Sequence, residues 1–161
     1  LPIIDKIITN YPDEGKAYIY LAKIKLAAHQ YKEAEQALVS ALSYEPDSVE
    51  ARVQLGVALM WQKRFKESIS TLNKAIEQSP NLPEAHYNLG LSLASNNNLQ
   101  KAADAFSTAI KLKPALPDSY MGLATVFLRA GQQREAKATL EKALNIAPRH
   151  PRIISMLKQL Q

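Results

Sequence analysis

Three histidines, His29, His86 and His150, are the side chains of this 161-residue sequence best suited to proton transfer or metal binding. Either role would require a partner for the histidine, such as a nucleophile or further metal ligands, at a suitable spacing. Each histidine stands alone, cysteine is absent, and neither a glycine-rich phosphate loop nor a serine elbow occurs. We therefore predict that the chain is not an enzyme and that it holds no metal ion and no other cofactor.

The composition indicates a folded helical protein. With 47% hydrophobic and 22% charged residues the chain can bury a core, and its five glycines are few. No apolar run approaches the roughly 20 residues that span a bilayer, and the first residues lack the features of a signal peptide. We expect a soluble protein, cytoplasmic by default because the sequence does not specify a compartment. Since an initiator methionine is missing, we expect a segment of a longer protein or a mature form.

Prolines recur with a fixed period. Proline ends a helix because it lacks the amide donor, yet it fits the first position of a helix. Two series with a spacing of 34 residues therefore predict where one helix stops and the next one starts in each repeat. The first series is Pro12, Pro46, Pro80, Pro114 and Pro148, and the second is Pro83, Pro117 and Pro151.

Small residues recur with the same period. When Gly15 is counted as position 1 of a repeat, positions 8, 20 and 27 hold only Ala, Gly or Ser, and position 24 holds a large apolar residue. Small residues let two helix axes approach closely while the large residues fill the flanking space. The small set is Ala22, Gly56, Gly90, Ala124, Ala34, Ser68, Ala102, Ala136, Ala41, Ala75, Ala109 and Ala143, and the large set is Leu38, Leu72, Phe106 and Leu140.

This combination of period, small residues and terminal proline resembles the tetratricopeptide repeat family, most clearly in the run from Ala85 to Gly90. The resemblance implies an all-α fold, a right-handed α-solenoid of tandem helix-turn-helix hairpins with a concave face. Three residues depart from the family pattern, since Lys25 replaces an aromatic residue and Arg52 and His86 replace large apolar ones. We expect their apolar stems to reach out of a partly exposed seam.

The resemblance covers residues 1–161 as a single tetratricopeptide domain. Residues 1–14 would be the second helix of a truncated repeat, and residues 151–161 a capping helix or the start of a further repeat. Complete repeats are expected at 15–48, 49–82, 83–116 and 117–150. First helices are expected near 15–28, 48–62, 82–96 and 116–130, and second helices near 32–45, 66–79, 100–113 and 134–147.

A binding groove is implied by the same resemblance, because the first helices of tetratricopeptide repeats line the concave face. The expected function is a protein–protein interaction scaffold that binds a peptide or an amphipathic helix of another protein. Trp61 and Tyr87 are the expected hot spots, and acidic rim residues would favour a basic edge on the partner. Val57, Leu91 and Leu128 are equally compatible with packing between helices. The candidate groove residues are Glu50, Val53, Val57, Met60, Trp61, Glu84, Tyr87, Asn88, Leu91, Asp118, Met121, Thr125, Leu128 and Arg129.

Two special binding modes of the family are not matched. The clamp of Lys, Asn and Arg residues that grips the carboxylates of chaperone tails is not present as a set at the corresponding positions. An asparagine ladder, as in some sugar-transferase repeat domains, finds only Asn88. The clamp positions read Ile19, Lys23, Gln54, Glu84 and Asn88 or, one repeat later, Val53, Val57, Asn88, Asp118 and Gly122.

An anionic partner is one alternative to peptide binding. Residues 83–161 hold ten Lys and Arg against five Asp and Glu, whereas residues 1–82 hold ten of each. A basic convex surface would bind nucleic acid or another anion, but outer faces are commonly charged and we do not expect nucleic acid to be the partner. The basic residues are Lys63, Arg64, Lys66, Arg134, Lys137, Lys142, Arg149 and Arg152.

Self-association is the other alternative. Terminal repeats normally need a polar outer face, yet both ends of the sequence carry apolar residues that no further helix would cover. The chain would then be a homo-oligomerising assembly scaffold in which identical terminal helices cover one another. These residues are Ile4, Ile7, Ile8, Ile153, Ile154, Leu157 and Leu160.

Overall fold

A computed structural model describes residues 15–160 of the chain, so the predicted helix within residues 1–14, with Ile4, Ile7 and Ile8, lies outside the described residues. The described part contains nine α-helices and no β-strand. For the first and second helices of the four expected repeats, every predicted boundary agrees with the structure to within one residue, whereas the last helix ends at Lys158. The helices are α1 (Gly15–Ala27), α2 (Tyr31–Tyr44), α3 (Val49–Trp61), α4 (Phe65–Gln78), α5 (Pro83–Ser95), α6 (Leu99–Leu112), α7 (Pro117–Arg129), α8 (Gln133–Ile146) and α9 (Pro151–Lys158).

Proline and serine mark the helix starts as local chemistry requires. Pro83, Pro117 and Pro151 each lie at the first position of a helix, where the missing amide hydrogen would have no intrahelical partner in any case. At the corresponding point of α3, Ser48 caps the helix instead, and its hydroxyl accepts a hydrogen bond from the Ala51 amide at 3.4 Å.

The turns inside the hairpins share one backbone conformation. One residue in each turn has a positive φ: 58° at His29, 62° at Lys63, 59° at Asn97 and 76° at Gly131. The next amide in each turn bonds back to the carbonyl five residues earlier, as from Arg64 to Leu59 at 3.0 Å. This pairing satisfies carbonyls at the helix end that would otherwise lack a donor.

The described helices belong to two compact units, residues 15–80 with α1 to α4 and residues 81–160 with α5 to α9. In each unit the small residues of the repeat are buried, which confirms the predicted register. Close approach explains why two of them are glycines. A Cβ atom at Gly56 would lie 2.5 Å from Leu72 Cγ, and one at Gly90 would lie 2.8 Å from Phe106 Cε1.

Arg52, which departs from the family pattern, is half-buried and reaches polar partners with its head group. Its Nε donates to Gln78 Oε1 at 3.1 Å, and its guanidinium also donates to the carbonyl of Pro46. This arrangement agrees with the expectation that the apolar stem of Arg52 packs between helices while its charged end reaches out of the seam.

Candidate peptide-binding site

A small cavity lies between α5 and α7 in residues 81–160. Its volume is about 170 Å³, and we call it the Phe106 pocket. Five candidate groove residues come together here with the Phe106 ring and Gly122. They are Tyr87, Leu91, Asp118, Met121 and Thr125, and Arg152 of α9 completes the rim.

Two glycines allow Phe106 of α6 to form part of this pocket. A Cβ atom at Gly122 would lie 2.6 Å from Phe106 Cε1, and the Gly90 position is almost as close. Contacts below 3.0 Å force neighbouring atoms to move, so the ring fits only because both side chains are absent. The Tyr87 ring lies against Phe106, with ring centroids 5.8 Å apart and an interplanar angle of 59°, in the tilted geometry that aromatic pairs favour.

A second cavity adjoins the first at the N-terminal ends of α5 and α7. It has a volume of about 430 Å³, and we call it the Ser119 pocket. Tyr87 and Asp118 line both cavities. The remaining wall of the Ser119 pocket is apolar at Leu82, Pro83 and Leu116 and polar at Glu84, Lys113 and Ser119.

Tyr87 is one of the two residues that both pockets share, and charged side chains of both signs lie near its hydroxyl. Burial of the half-exposed ring raises the pKa of the Tyr87 hydroxyl above its ordinary value, and the negative charge of Asp118 raises that pKa further. Arg152 acts in the opposite direction. The hydroxyl is therefore held in its neutral form, in which it both donates and accepts hydrogen bonds.

The candidate groove residues differ in accessibility. Val53, Met60, Asn88 and Met121 are buried, at 2%, 8%, 8% and 5% exposure respectively. These four side chains therefore lie beneath the expected groove surface and contribute little accessible area to it. The half-buried candidates are Val57, Tyr87, Leu91 and Leu128, and the exposed ones are Glu50, Trp61, Glu84, Asp118, Thr125 and Arg129.

Two charged candidates already have partners. Lys23 Nζ lies 2.5 Å from Glu50 Oε1 in an exposed ion pair. Arg129 donates from one guanidinium nitrogen to the Ala94 carbonyl at 2.7 Å and from the other to Asn97 Oδ1 at 3.1 Å. Arg129 thus ties the end of α7 to the end of α5, which favours a structural role over ligand contact.

Trp61 is 56% exposed at the end of α3. One face of its ring stacks on Tyr31 at the start of α2, with centroids 5.7 Å apart and an interplanar angle of 9°. The Tyr31 hydroxyl in turn lies 2.8 Å from His29 Nδ1. Tyr31 was missed by sequence reasoning because only first helices were used to define the groove.

Sequence reasoning also missed Phe106, Gly122, Ser119 and Arg152 as lining residues. The repeat register carried a signal for two of them. Ser119 replaces the alanine that the other three repeats carry at position 3, and Gly122 replaces a larger polar residue at position 6. Such departures within one repeat mark places where the surface differs from the repeating core.

The basic cluster in the turn between α3 and α4 is partly neutralised. Arg64 Nη1 contacts both carboxylate oxygens of Glu35 at 2.7 and 2.8 Å, and its other nitrogens contact Glu67 at 2.7 Å. Hydrogen bonds from Arg64 to Glu67 and Glu35 raise the pKa of Arg64 above its ordinary value, and the bond from Arg64 lowers the pKa of Glu67. A guanidinium committed to two carboxylates is a poor phosphate contact.

The apolar residues of α9 pack largely within their own unit. Ile153 is fully buried, and Met156, Leu157 and Leu160 pack against the cluster formed by α7 and α8 residues such as Leu140. This packing reduces the apolar area that α9 offers to a second copy of the chain.

Two kinds of feature are absent from residues 15–160, a metal-binding cluster and a membrane-spanning helix. No group of three or more His, Asp or Glu side chains in that range is arranged to hold a metal ion. None of the described helices is long and apolar enough to cross a membrane.

The described residues therefore form helical hairpins that repeat every 34 residues. The sequence profile of the tetratricopeptide repeat family matches residues 25–90 and 93–160. These matches span most of the chain, so the protein belongs to the tetratricopeptide repeat family. Members of this family are generally non-enzymatic scaffolds for protein interactions, and a protein-interaction scaffold is accordingly the function class of this chain.

Solved structures agree with the fold. TTC0263, a thermophilic tetratricopeptide protein from Thermus thermophilus, is 20% identical, with a TM-score of 0.86 over 99% of this chain and 87% of that one. MamA from Desulfovibrio magneticus RS-1 is 18% identical, with a TM-score of 0.81 over 92% and 84% of the two chains. YrrB is 23% identical, with a TM-score of 0.79 over 96% and 80%. The predicted fold class, an all-α tetratricopeptide solenoid, is confirmed. None of the curated protein sequences matches this chain.

Proposed function

We propose that this protein binds a peptide or a helix of a partner protein, and that the two pockets beside Tyr87 take the partner's side chains. The observation that carries the proposal is the convergence of five candidate groove residues on one cavity. Concave, mostly apolar sites with a few polar groups are typical of ligand recognition. We also infer that the chain has no catalytic activity, and the boundaries of the four repeats stay a prediction.

The size of the Phe106 pocket indicates what it accepts. Its volume of about 170 Å³ is close to that of a cavity of roughly 150 Å³ that binds benzene. One side chain of the size of leucine or phenylalanine would fill it. The half-buried Leu91 and Ala94 would supply apolar contacts, with the buried Phe106 ring behind them. The exposed carboxylates of Glu84 and Asp118 would favour basic residues nearby in the partner.

A protein with the same fold supports the proposal of peptide binding. YrrB is described as a tetratricopeptide protein with an unusual peptide-binding site. In the present chain the chaperone clamp and the asparagine ladder are unmatched, so a site that depends on other residues is expected here as well.

Tyr87→Ala tests the proposal. A peptide is first selected from a random library on the whole chain, and its affinity is then measured for the native protein and for the variant. Removing a hot-spot ring should weaken binding by about 2 kcal/mol or more, a roughly thirtyfold loss. Urea unfolding should show that most of the stability is retained, because the ring is only half-buried.

Tyr44→Ala is the matched control. Tyr44 is an exposed tyrosine of α2 that stacks on Tyr18 at 5.7 Å, so its loss removes an aromatic pair without touching the pockets. Peptide affinity should be unchanged in this variant. Equal weakening by both substitutions would contradict the proposal, and sedimentation over a concentration series would separate peptide binding from self-association.

Trp61→Ala examines the other predicted hot spot in residues 15–80. If the partner extends over α3, loss of this exposed ring should also weaken binding while stability is largely retained. Unchanged affinity would restrict the binding surface to residues 81–160.

A further inference from the structure

The Phe106 and Ser119 pockets differ in charge although they share Tyr87 and Asp118. At the Phe106 pocket the carboxylate of Asp118 is balanced by the guanidinium of Arg152. At the Ser119 pocket two carboxylates, Glu84 and Asp118, accompany one ammonium group, that of Lys113. The Ser119 pocket therefore carries an excess of one negative charge, which favours a cationic group.

A buried hydroxyl at the Ser119 pocket lacks a partner. Ser119 has no exposed surface, and its Oγ finds no hydrogen-bond partner anywhere in the described part of the chain. Buried hydroxyls normally have one, because leaving such a group unpaired is unfavourable. The other repeats place alanine at this position, namely Ala17, Ala51 and Ala85, so the helix packing itself does not need the hydroxyl.

We propose that the Ser119 pocket binds the guanidinium group of an arginine side chain in the partner peptide, while the Phe106 pocket holds an apolar side chain of the same peptide. This inference rests on the proposed function and specifies the partner's chemistry. The planar guanidinium stacks on the Tyr87 ring, and its donors reach the carboxylates of Glu84 and Asp118. Ser119 Oγ accepts a further hydrogen bond from it.

Arginine fits this pocket better than lysine for two reasons. Its five donors and flat shape serve carboxylates, a hydroxyl and an aromatic face at the same time, whereas an ammonium group is a compact and strongly hydrated point charge. Its apolar stem would lie along Leu82 and Leu116. Lys113 follows the last residue of α6 and has an exposed, flexible side chain, so its ammonium group can turn away from a bound cation.

The test uses the full chain and small probes in place of the unidentified peptide. Acetyl-arginine amide and acetyl-citrulline amide are titrated separately while the backbone amide signals are followed by NMR. Citrulline has nearly the same shape as arginine but no charge. The arginine probe should shift the amides of Glu84, Tyr87 and Ser119, with an affinity about tenfold higher than that of citrulline. Equal affinity of the two probes would overturn the inference.

Two variants assign the binding to this pocket. Asp118→Asn should weaken the arginine probe about tenfold, while Asp104→Asn on the exposed face of α6 removes the same charge elsewhere and should have no effect. Ser119→Ala should weaken the probe several-fold without lowering the melting temperature, because alanine serves the other repeats. Equal effects of the two aspartate variants, or an unchanged affinity in Ser119→Ala, would contradict the assignment.

Failure of this inference is distinguishable from failure of the proposed function. A selected peptide that perturbs Leu91 and Thr125 but contains no arginine would leave peptide binding standing and remove the arginine site. A peptide that perturbs neither pocket would contradict the proposed function, whatever the arginine probe does.

Discussion

Phe106 shows how a single residue changes the surface of a repeat. The other three repeats hold leucine at its position, in the form of Leu38, Leu72 and Leu140. The larger ring fits because Gly90 and Gly122 present no side chains to it. The ring then forms a wall of the pocket beside Tyr87. The packing of the helices and the shape of the pocket therefore depend on the same residues.

Gly122→Ala tests this packing. The added methyl would meet the Phe106 ring at 2.6 Å, and we expect a loss of about 1 to 3 kcal/mol in unfolding free energy. In a Phe106→Leu background the loss should be clearly smaller, because the smaller leucine leaves room for the added methyl. Urea unfolding of the four proteins measures this coupling. As a control, Gly15→Ala would place its methyl 2.9 Å from Glu45 Cγ, in a flexible side chain that can move aside, so its cost should be smaller than that of Gly122→Ala. Additive effects of the Gly122 and Phe106 changes would refute direct contact.

At the scale of the element, the hairpins are held at their ends by backbone geometry and by polar side chains. Gln62 and Arg64, in the turn between α3 and α4, both bond to Glu35 of α2, and Arg129 bonds to the end of α5. The turns themselves use a left-handed residue, and in three of four cases it is not glycine. A left-handed conformation costs a residue with a side chain about 1 to 2 kcal/mol.

Lys63→Gly should therefore stabilise the protein. Glycine removes the strain of the positive φ but loses more chain entropy on folding, so we expect a net gain of about 0.5 to 1 kcal/mol. Asn97→Gly is the matched control at the same turn position, and its gain should be smaller because asparagine tolerates this conformation. The midpoint of urea unfolding checks both variants. A larger gain at Asn97 than at Lys63 would argue against backbone strain as the cause.

At the scale of the whole molecule, charge and apolar recognition are separate properties. The chain carries a net charge of +5, and Arg134 and Lys137 are exposed on α8. Asp118 and Glu84, in contrast, lie beside the apolar pockets. Diffuse positive charge attracts any polyanion, whereas an apolar pocket selects side chains by shape.

Salt dependence distinguishes these two properties. Binding of a single-stranded RNA oligonucleotide should be weak and should fall steeply between about 50 and 200 mM salt, as counterion release requires. Binding of the selected peptide should change far less, since its apolar anchor is insensitive to screening and salt weakens only its contacts with Glu84 and Asp118. Reversing the charges of Arg134 and Lys137 should reduce RNA binding alone. If that double reversal abolished peptide binding while Tyr87→Ala left it intact, the functional surface would be the basic side of α8.

The sequence by itself determined the helices, their boundaries and the close-packed positions. Proline at helix starts and small residues at position 8 act through local backbone chemistry or through the nearest helix, so a one-dimensional period is sufficient to reveal them. Tertiary structure alone decided which groove candidates stay accessible. Met121 is buried and Asp118 is exposed three residues earlier on the same helix, because side chains from other helices cover one and leave the other. The pocket at Phe106 and the unpaired hydroxyl of Ser119 likewise arise where three or more helices meet, and their packing depends on contacts that no repeat register specifies.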